Sequence, residues 1–130
     1  MFGFNKKKKV ESIDNKKLTP ETIDVLTVKL SELQKKLDMT DDEDEKIKVY
    51  EELGAVYIKL NKTDEAIVAY ETSIKIKEQF GKAYNALLNL YEEKRKAAAL
   101  TKDDTEIQKW IRKTDNLLDM SKRVLRKNMF

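Results

Sequence analysis

Residues 50–57 read Tyr-Glu-Glu-Leu-Gly-Ala-Val-Tyr, and residues 66–73 read Ala-Ile-Val-Ala-Tyr-Glu-Thr-Ser. Two tyrosines flank a Leu-Gly pair in the first segment, and the second segment spaces alanine, tyrosine and serine by four and three residues. Small residues let two helix backbones approach closely, and large rings fill the spaces that they leave. The two segments are therefore expected to pack as an antiparallel helical hairpin.

Part of this pattern recurs 34 residues further along the chain. The equivalent positions are Tyr84 for Tyr50, Leu87 for Leu53 and Tyr91 for Tyr57. A fixed period of this length is typical of helical repeat proteins, in which neighbouring hairpins stack. At these spacings we interpret the five tyrosines of the chain as packing residues and not as a ligand cage.

With these residues the chain resembles the tetratricopeptide repeat family, whose motif runs aromatic, Leu-Gly, Tyr, Ala, aromatic, small residue and Pro. Seven of these positions are filled between residues 47 and 80, by Tyr50, Leu53, Gly54, Tyr57, Ala66, Tyr70 and Ser73. Glu78 stands at the proline position, and Leu88 stands at the glycine position of the second repeat. The resemblance implies an all-α fold, a right-handed α-α superhelix of antiparallel helical hairpins with an additional N-terminal helix.

The chain divides into a flexible tail, residues 1–17, and a single helical domain, residues 18–127. We expect a helix over 20–38, a first repeat over 45–80 and a second over 81–127. Thr19 can cap the first helix, and Pro20 suits its first position. This helix carries one apolar stripe, Ile23, Leu26, Leu30, Leu33 and Leu37. The stripe either covers the repeats within the chain or packs against a second chain in a homodimer.

The acidic run 41–45 is expected to begin the next helix, because the exposed amide groups at a helix start favour negative charge. It lacks the glycine turn and spaced oxygen ligands of a calcium loop. The helix should extend to about Leu60. Thr63 or Asp64 should cap a return helix that ends near Glu78.

The second return helix requires a longer hairpin. Its packing series, Ile107, Ile111 and Thr114, lies 41 residues beyond Ala66, Tyr70 and Ser73, which exceeds the period of 34 by seven. Seven residues are two helical turns. We therefore expect each helix of the second hairpin to be about one turn longer, with 94–100 continuing the first of them. Trp110, beside this series, either joins the core or faces a partner.

The inventory of side chains argues against an enzyme. The chain has no Cys and no His, which removes thiol and imidazole catalysis and most transition-metal sites, so we predict no catalytic residue, cofactor or metal. Its 27 basic and 24 acidic residues are interspersed, which argues against nucleic acid as a partner. No apolar run is long enough to cross a membrane, and the lysines near the N-terminus precede no apolar signal. We expect a cytoplasmic protein.

The resemblance implies that the first helix of each hairpin lines a groove for a peptide or helix of another protein. Groove positions alternate with packing positions, and here they are Lys48, Glu51, Ala55, Lys59, Lys82, Asn85, Asn89 and Glu92. Asn85 and Asn89 share one helical face and could together bind a peptide main chain. The alternative is that both are ordinary solvated residues. The predicted function is a non-enzymatic adaptor or scaffold, and self-association is an alternative.

The N-terminal tail offers a further alternative. Two aromatic residues, Phe2 and Phe4, precede four lysines, Lys6, Lys7, Lys8 and Lys9. Such a cluster can contact an anionic membrane surface weakly, with each lysine contributing about 1 kcal/mol, or it can bind nucleic acid weakly. The chain would then be membrane-peripheral. The other interpretation is a tail without a specific role.

Overall fold

The computed structural model describes residues 18–129, and five α-helices account for most of them without any strand in this range. They are α1 (Pro20–Met39), α2 (Glu43–Lys59), α3 (Thr63–Ile76), α4 (Lys82–Leu100) and α5 (Asp104–Met129). Each helix packs against the next one along the chain. The all-α prediction, with one helix ahead of two hairpins, is confirmed. The predicted tail, 1–17, lies outside the described residues.

Three helix starts are capped by side chains, and the cap at Thr19 is the one predicted. Thr19 accepts a hydrogen bond from the amide of Thr22 at 3.1 Å, with Pro20 at the first helical position of α1. Asp42 accepts one from the amide of Glu45 at 3.2 Å, and acidic residues fill the first turn of α2. Asp103 accepts one from the amide of Glu106 at 3.1 Å at the start of α5. Each cap satisfies an amide that would otherwise lack a partner.

The predicted cap of α3 is wrong. Neither Thr63 nor Asp64 caps this helix, because Lys62 occupies the cap position and makes no side-chain cap hydrogen bond. The turn before α3 is closed instead by the backbone. Asn61 adopts a left-handed conformation with φ of 62°, and the amide of Lys62 donates to the carbonyl of Tyr57 at 2.8 Å. This wrapping bond is the usual way to end a helix with a left-handed residue.

Four of the five residues in the apolar stripe of α1 are covered within the chain, and the fifth, Ile23, is 39% exposed. Leu33 is 2% exposed and forms a cluster with Val49, Leu53 and Val56 of α2. The partly buried residues Leu26, Leu30 and Leu37 pack against the same cluster. Helix α1 therefore acts as an intramolecular cap over α2 through these four leucines.

In the first hairpin, the ring of Tyr70 on α3 lies directly over Gly54 on α2. A methyl group on Gly54 would be 2.5 Å from Cε2 and 2.6 Å from Cζ of that ring. Ala66 and Ser73, on the same helix as Tyr70, are 0% and 2% exposed. The predicted nesting of a tyrosine over a small residue is confirmed at Gly54, and all five tyrosines either lie in the core or pack against it.

The second hairpin is longer than the first, but the added length is distributed differently from the prediction. Residues 94–100 do continue α4 as expected. However, α4 has 19 residues against 17 in α2, whereas α5 has 26 against 14 in α3. The additional turns therefore belong almost entirely to α5. Its capping residue, Asp103, fixes where α5 begins, and its apolar pattern continues well past the point where α3 ends.

The predicted packing face of α5 is also wrong. Ile111 is 36% exposed and Ile107 and Thr114 are half-buried, whereas Trp110 is 5% exposed. The residues that α5 buries are Trp110, Leu117, Met120 and Val124. In the second hairpin, Leu88 stands at the position equivalent to Gly54 and has a side chain there. The ring of Trp110 packs against Tyr91 and not at this position, with 5.8 Å between the two ring centroids. Trp110 is thus a core residue and not a partner-facing one.

Candidate protein-binding surface

The residues predicted to face a partner lie on α2 and α4, the helices that begin the two hairpins. They are Lys48, Glu51, Ala55, Lys59, Lys82, Asn85, Asn89 and Glu92. All are exposed except Glu51, which is half-buried. None belongs to either apolar cluster of the core. Their side chains are therefore available to solvent on helices whose opposite faces are fixed by packing.

On α4, two of these residues form a polar pair one helical turn apart. Asn85 and Asn89 are separated by about 6 Å along the helix axis, because each residue adds 1.5 Å. Each amide can donate and accept a hydrogen bond at once, which matches the N–H and C=O groups of an extended chain. Both side chains are exposed, and within residues 18–129 neither makes a hydrogen bond to another protein group.

The charge at the C-terminal end of this surface is locally balanced. Arg95 donates to both carboxylate oxygens of Glu92, through Nε at 3.1 Å and Nη2 at 2.7 Å. This bond holds the pKa of Glu92 below its ordinary value. Since both residues lie on α4, the pair orients a charge without joining two helices.

The charge on α2 is coupled to the core. Burial raises the pKa of the Tyr70 phenol, and the carboxylate of Glu51 raises this pKa further. Glu51 must therefore lie near the phenol that covers Gly54. Of the eight predicted residues, Glu51 is therefore the one that interacts with the core, which agrees with its half-buried side chain.

Four concave surfaces of the described residues lie elsewhere. A cleft of about 300 Å³ runs between α3 and α5, and α4 supplies Leu87 and Tyr91 to its lining. A second cavity of about 330 Å³ surrounds Trp110 and includes the exposed Val68. Two more lie between α1, α2 and α3. None of these four cavities is lined by any of the eight predicted residues.

Ion pairs cross the cleft between α3 and α5. Glu71 Oε2 accepts hydrogen bonds from Tyr91 Oη at 2.6 Å and from Lys113 Nζ at 2.8 Å. Burial and the Glu71 carboxylate raise the pKa of Tyr91 well above its ordinary value. These three side chains link α3, α4 and α5, and their hydrogen bonds bridge the cleft. Sequence reasoning missed these bonds, because Glu71 and Lys113 are 42 residues apart.

A second ion pair bridges the same cleft. Arg123 on α5 donates to both carboxylate oxygens of Glu78, at 3.1 and 2.7 Å, and lowers the pKa of that carboxyl. Glu78 is the residue that replaces the motif proline. A third pair joins the hairpins, with Lys94 Nζ at 2.8 Å from Asp64 Oδ1, and its hydrogen bond lowers the pKa of Asp64.

Three lysines surround the buried indole of Trp110. The Nζ atoms of Lys109, Lys94 and Lys113 lie 4.7, 5.5 and 5.9 Å from its ring centroid, within the range of cation–π attraction. The indole N–H donates to Glu106 Oε1 at 3.1 Å. These contacts give the ring polar partners at the edge of the core, which explains how a tryptophan at that boundary is held in one position.

The proposed membrane residues, Phe2, Phe4 and Lys6 to Lys9, lie outside the described residues. Within 18–129, no helix is both long and apolar enough to span a bilayer. The acidic residues of this range do not gather into a group that could hold a metal ion.

Comparison with known proteins gives a family match for one segment of the chain. A sequence model described as tetratricopeptide repeat matches residues 47–80, which cover most of α2 and all of α3. Searches of curated proteins and of solved structures returned no significant match. The matched range includes Gly54 and Tyr70, whose close contact joins the hairpin. Residues 47–80 are therefore a tetratricopeptide repeat.

Proposed function

We propose that this protein is a non-enzymatic adaptor that binds a peptide or a helix of another protein along the exposed faces of α2 and α4. Tetratricopeptide repeats generally bind other proteins, and this general property supports the protein-binding part of the proposal. The finer assignment concerns which surface does so.

The observation that carries this assignment is the state of Lys82, Asn85 and Asn89. All three side chains are exposed on one face of α4 and none takes part in the core. Within the described residues they form no ion pair. By contrast, the Glu71, Tyr91 and Lys113 side chains of the α3–α5 cleft are already bound to one another, as are those of Glu78 and Arg123. A partner's main chain can bind the side-chain amides of Asn85 and Asn89 without breaking any existing contact. Binding to the paired cleft residues would require breaking the hydrogen bonds between them.

The test begins with a partner captured by the full chain from its native host and reduced to the shortest segment that still binds. The affinity of a labelled form of that segment is then measured for the unchanged protein and for a triple variant, Lys82→Glu, Asn85→Ala and Asn89→Ala. We expect at least about a tenfold loss, since each lost hydrogen bond contributes about 1 kcal/mol.

A matched control uses the same substitutions on another surface: Lys75→Glu, Asn116→Ala and Asn128→Ala on α3 and α5, all of them exposed residues. Circular dichroism should show unchanged helix content in both triple variants. The control should bind the segment as the unchanged protein does. If the control loses the segment while the α4 variant retains it, the binding surface is the cleft and the proposal is wrong.

A further inference from the structure

Helix α5 carries two adjacent apolar stripes, of which the chain covers one. Trp110, Leu117, Met120 and Val124 form the buried stripe. The other consists of Ile111, Leu118 and Leu125, which are 36%, 41% and 52% exposed. They recur every seven residues, with Thr114 and Ser121 between them, which is the spacing of a helix that pairs with another helix. We call this second stripe the α5 seam.

The position of α5 in the fold explains why the seam is uncovered. Helix α3 packs against α2 on one side and α4 on the other. Helix α5 packs against α4, its partner in the hairpin, and no helix follows it within the described residues. An exposed row of aliphatic side chains beside a buried one is typical of an interaction surface.

We propose that the α5 seam pairs antiparallel with the seam of a second copy of this chain. A two-fold axis beside Leu118 would bring the two Leu118 side chains together and set Ile111 of one copy against Leu125 of the other. The seam is thus self-complementary in shape, because Ile111 and Leu125 lie at equal distances on either side of Leu118. Self-complementarity is what a symmetric dimer requires.

The flanking charges select this arrangement. Asp115 lies three residues before Leu118, and Lys122 lies four after it, both exposed on the same side of the seam. The two-fold axis therefore brings Asp115 of each copy near Lys122 of the other, which gives two attractive pairs. A parallel pairing would place the Asp115 and Lys122 side chains of the two copies on opposite sides of the interface, so neither attractive pair would form. Charge thus favours a second, antiparallel copy over a parallel one.

The size of the seam sets the expected strength. From Ile111 to Leu125 the helix advances about 21 Å at 1.5 Å per residue. A contact of this length along a single helix buries less surface than the roughly 800 Å² per partner of a standard stable interface. The dimer should therefore form and dissociate reversibly as the protein is concentrated and diluted.

Sedimentation velocity over about a hundredfold range of concentration tests whether the dimer exists. The mean mass should rise from one chain toward two. Leu118→Glu should keep the protein monomeric throughout, while Val68→Glu, at an exposed apolar position on α3, should leave the rise unchanged. A monomer at every concentration of the unchanged protein would overturn the proposal, as would a dimer that survives Leu118→Glu.

Charge exchange tests the pairing of Asp115 with Lys122. Asp115→Lys and Lys122→Asp should each raise the dissociation constant by about tenfold or more, since each replaces two attractive pairs with two repulsive ones. The double variant restores opposite charges and should recover the affinity of the unchanged protein. No recovery in the double variant would contradict the assigned register.

Cross-linking tests the orientation, and the absence of native cysteines makes it unambiguous. Leu118→Cys should form a disulfide between two identical chains under mild oxidation. A mixture of Ile111→Cys and Leu125→Cys chains should cross-link mainly between the two kinds. Cross-linking of Ile111→Cys with itself at the same efficiency would indicate parallel pairing and overturn the proposal.

Discussion

Gly54 is the position where the first hairpin depends most directly on a single residue. The Tyr70 ring occupies the space that any side chain at Gly54 would need. A helix interior otherwise disfavours glycine, since alanine is more favourable there by about 1 kcal/mol. The close approach of α2 and α3 therefore outweighs the local preference of α2.

Gly54→Ala should consequently destabilise the protein in spite of its better helix propensity. Overpacking costs about 1–3 kcal/mol, so after the propensity gain the free energy of unfolding should fall by about 1 kcal/mol. In a Tyr70→Leu background the ring atoms are gone, and the same substitution should become neutral or stabilising. Urea unfolding of the four proteins measures this coupling. Equal effects of Gly54→Ala in both backgrounds would show that the ring does not lie over Gly54.

Tyr91 should make the stability sensitive to alkaline pH. Its pKa is raised in the folded protein, whereas an unfolded chain has the ordinary value of 10.0. The contribution of the protonated phenol is thus fully present below pH 10 and is lost as the pH rises toward the folded pKa. Tyr91→Phe should lower the free energy of unfolding by about 1 kcal/mol at neutral pH, because it removes the hydrogen bond to Glu71.

The distinguishing measurement compares urea midpoints at neutral pH and above pH 10. The loss of stability between the two conditions should be smaller in Tyr91→Phe than in the unchanged protein. Tyr70, whose pKa is also raised, remains in both proteins and therefore does not affect the difference. An identical alkaline loss in both would mean that Tyr91 is not held by Glu71.

Between elements, the second hairpin is held to the first by ion pairs between side chains distant in sequence. The pKa values of Glu78 and Asp64 are lowered from 4.5 and 3.8 by Arg123 and Lys94. Their contribution to stability is present above those values and is lost as the pH falls below them. Because these groups are largely exposed, each pair contributes modestly.

Glu78→Gln should loosen the C-terminal half of α5. Amide hydrogen exchange over 121–129 should become faster, since the variant removes the bidentate bond to Arg123. The unchanged protein should show the same loss of protection, relative to the intrinsic exchange rate at each pH, when the pH is lowered far enough to protonate Glu78. Glu92→Gln is the control, because its pair lies within α4 and should leave α5 unaffected. Unchanged exchange in Glu78→Gln would remove the assigned role of this pair.

The helices themselves were predictable to different degrees. Local signals sufficed for Thr19, Pro20 and Asp42, because capping depends on residues within one turn of the helix start. The face of α5 was not predictable. Its apolar residues cover about half of the helix circumference, so the pattern permits two packing faces, and tertiary packing against α4, including the contact between Trp110 and Tyr91, selects one.

At the scale of the whole molecule, the repeat motif was sufficient for the fold class and for the first hairpin, where Gly54, Ala66 and Tyr70 fill the family positions. The ion pairs between hairpins could not be predicted, because Glu78 and Arg123 are 45 residues apart and no local pattern joins them. The partner-binding surface was derived from motif positions alone. The structure places those residues in solvent, and their role remains our proposal.

Hydrogen–deuterium exchange with and without the captured segment is the most direct test of the proposed partner binding on α2 and α4. Protection should appear at exposed positions within 48–59 and 82–92 and should be absent from the α5 seam. Protection confined to α5, or to the residues that line the α3–α5 cleft, would contradict the central claim.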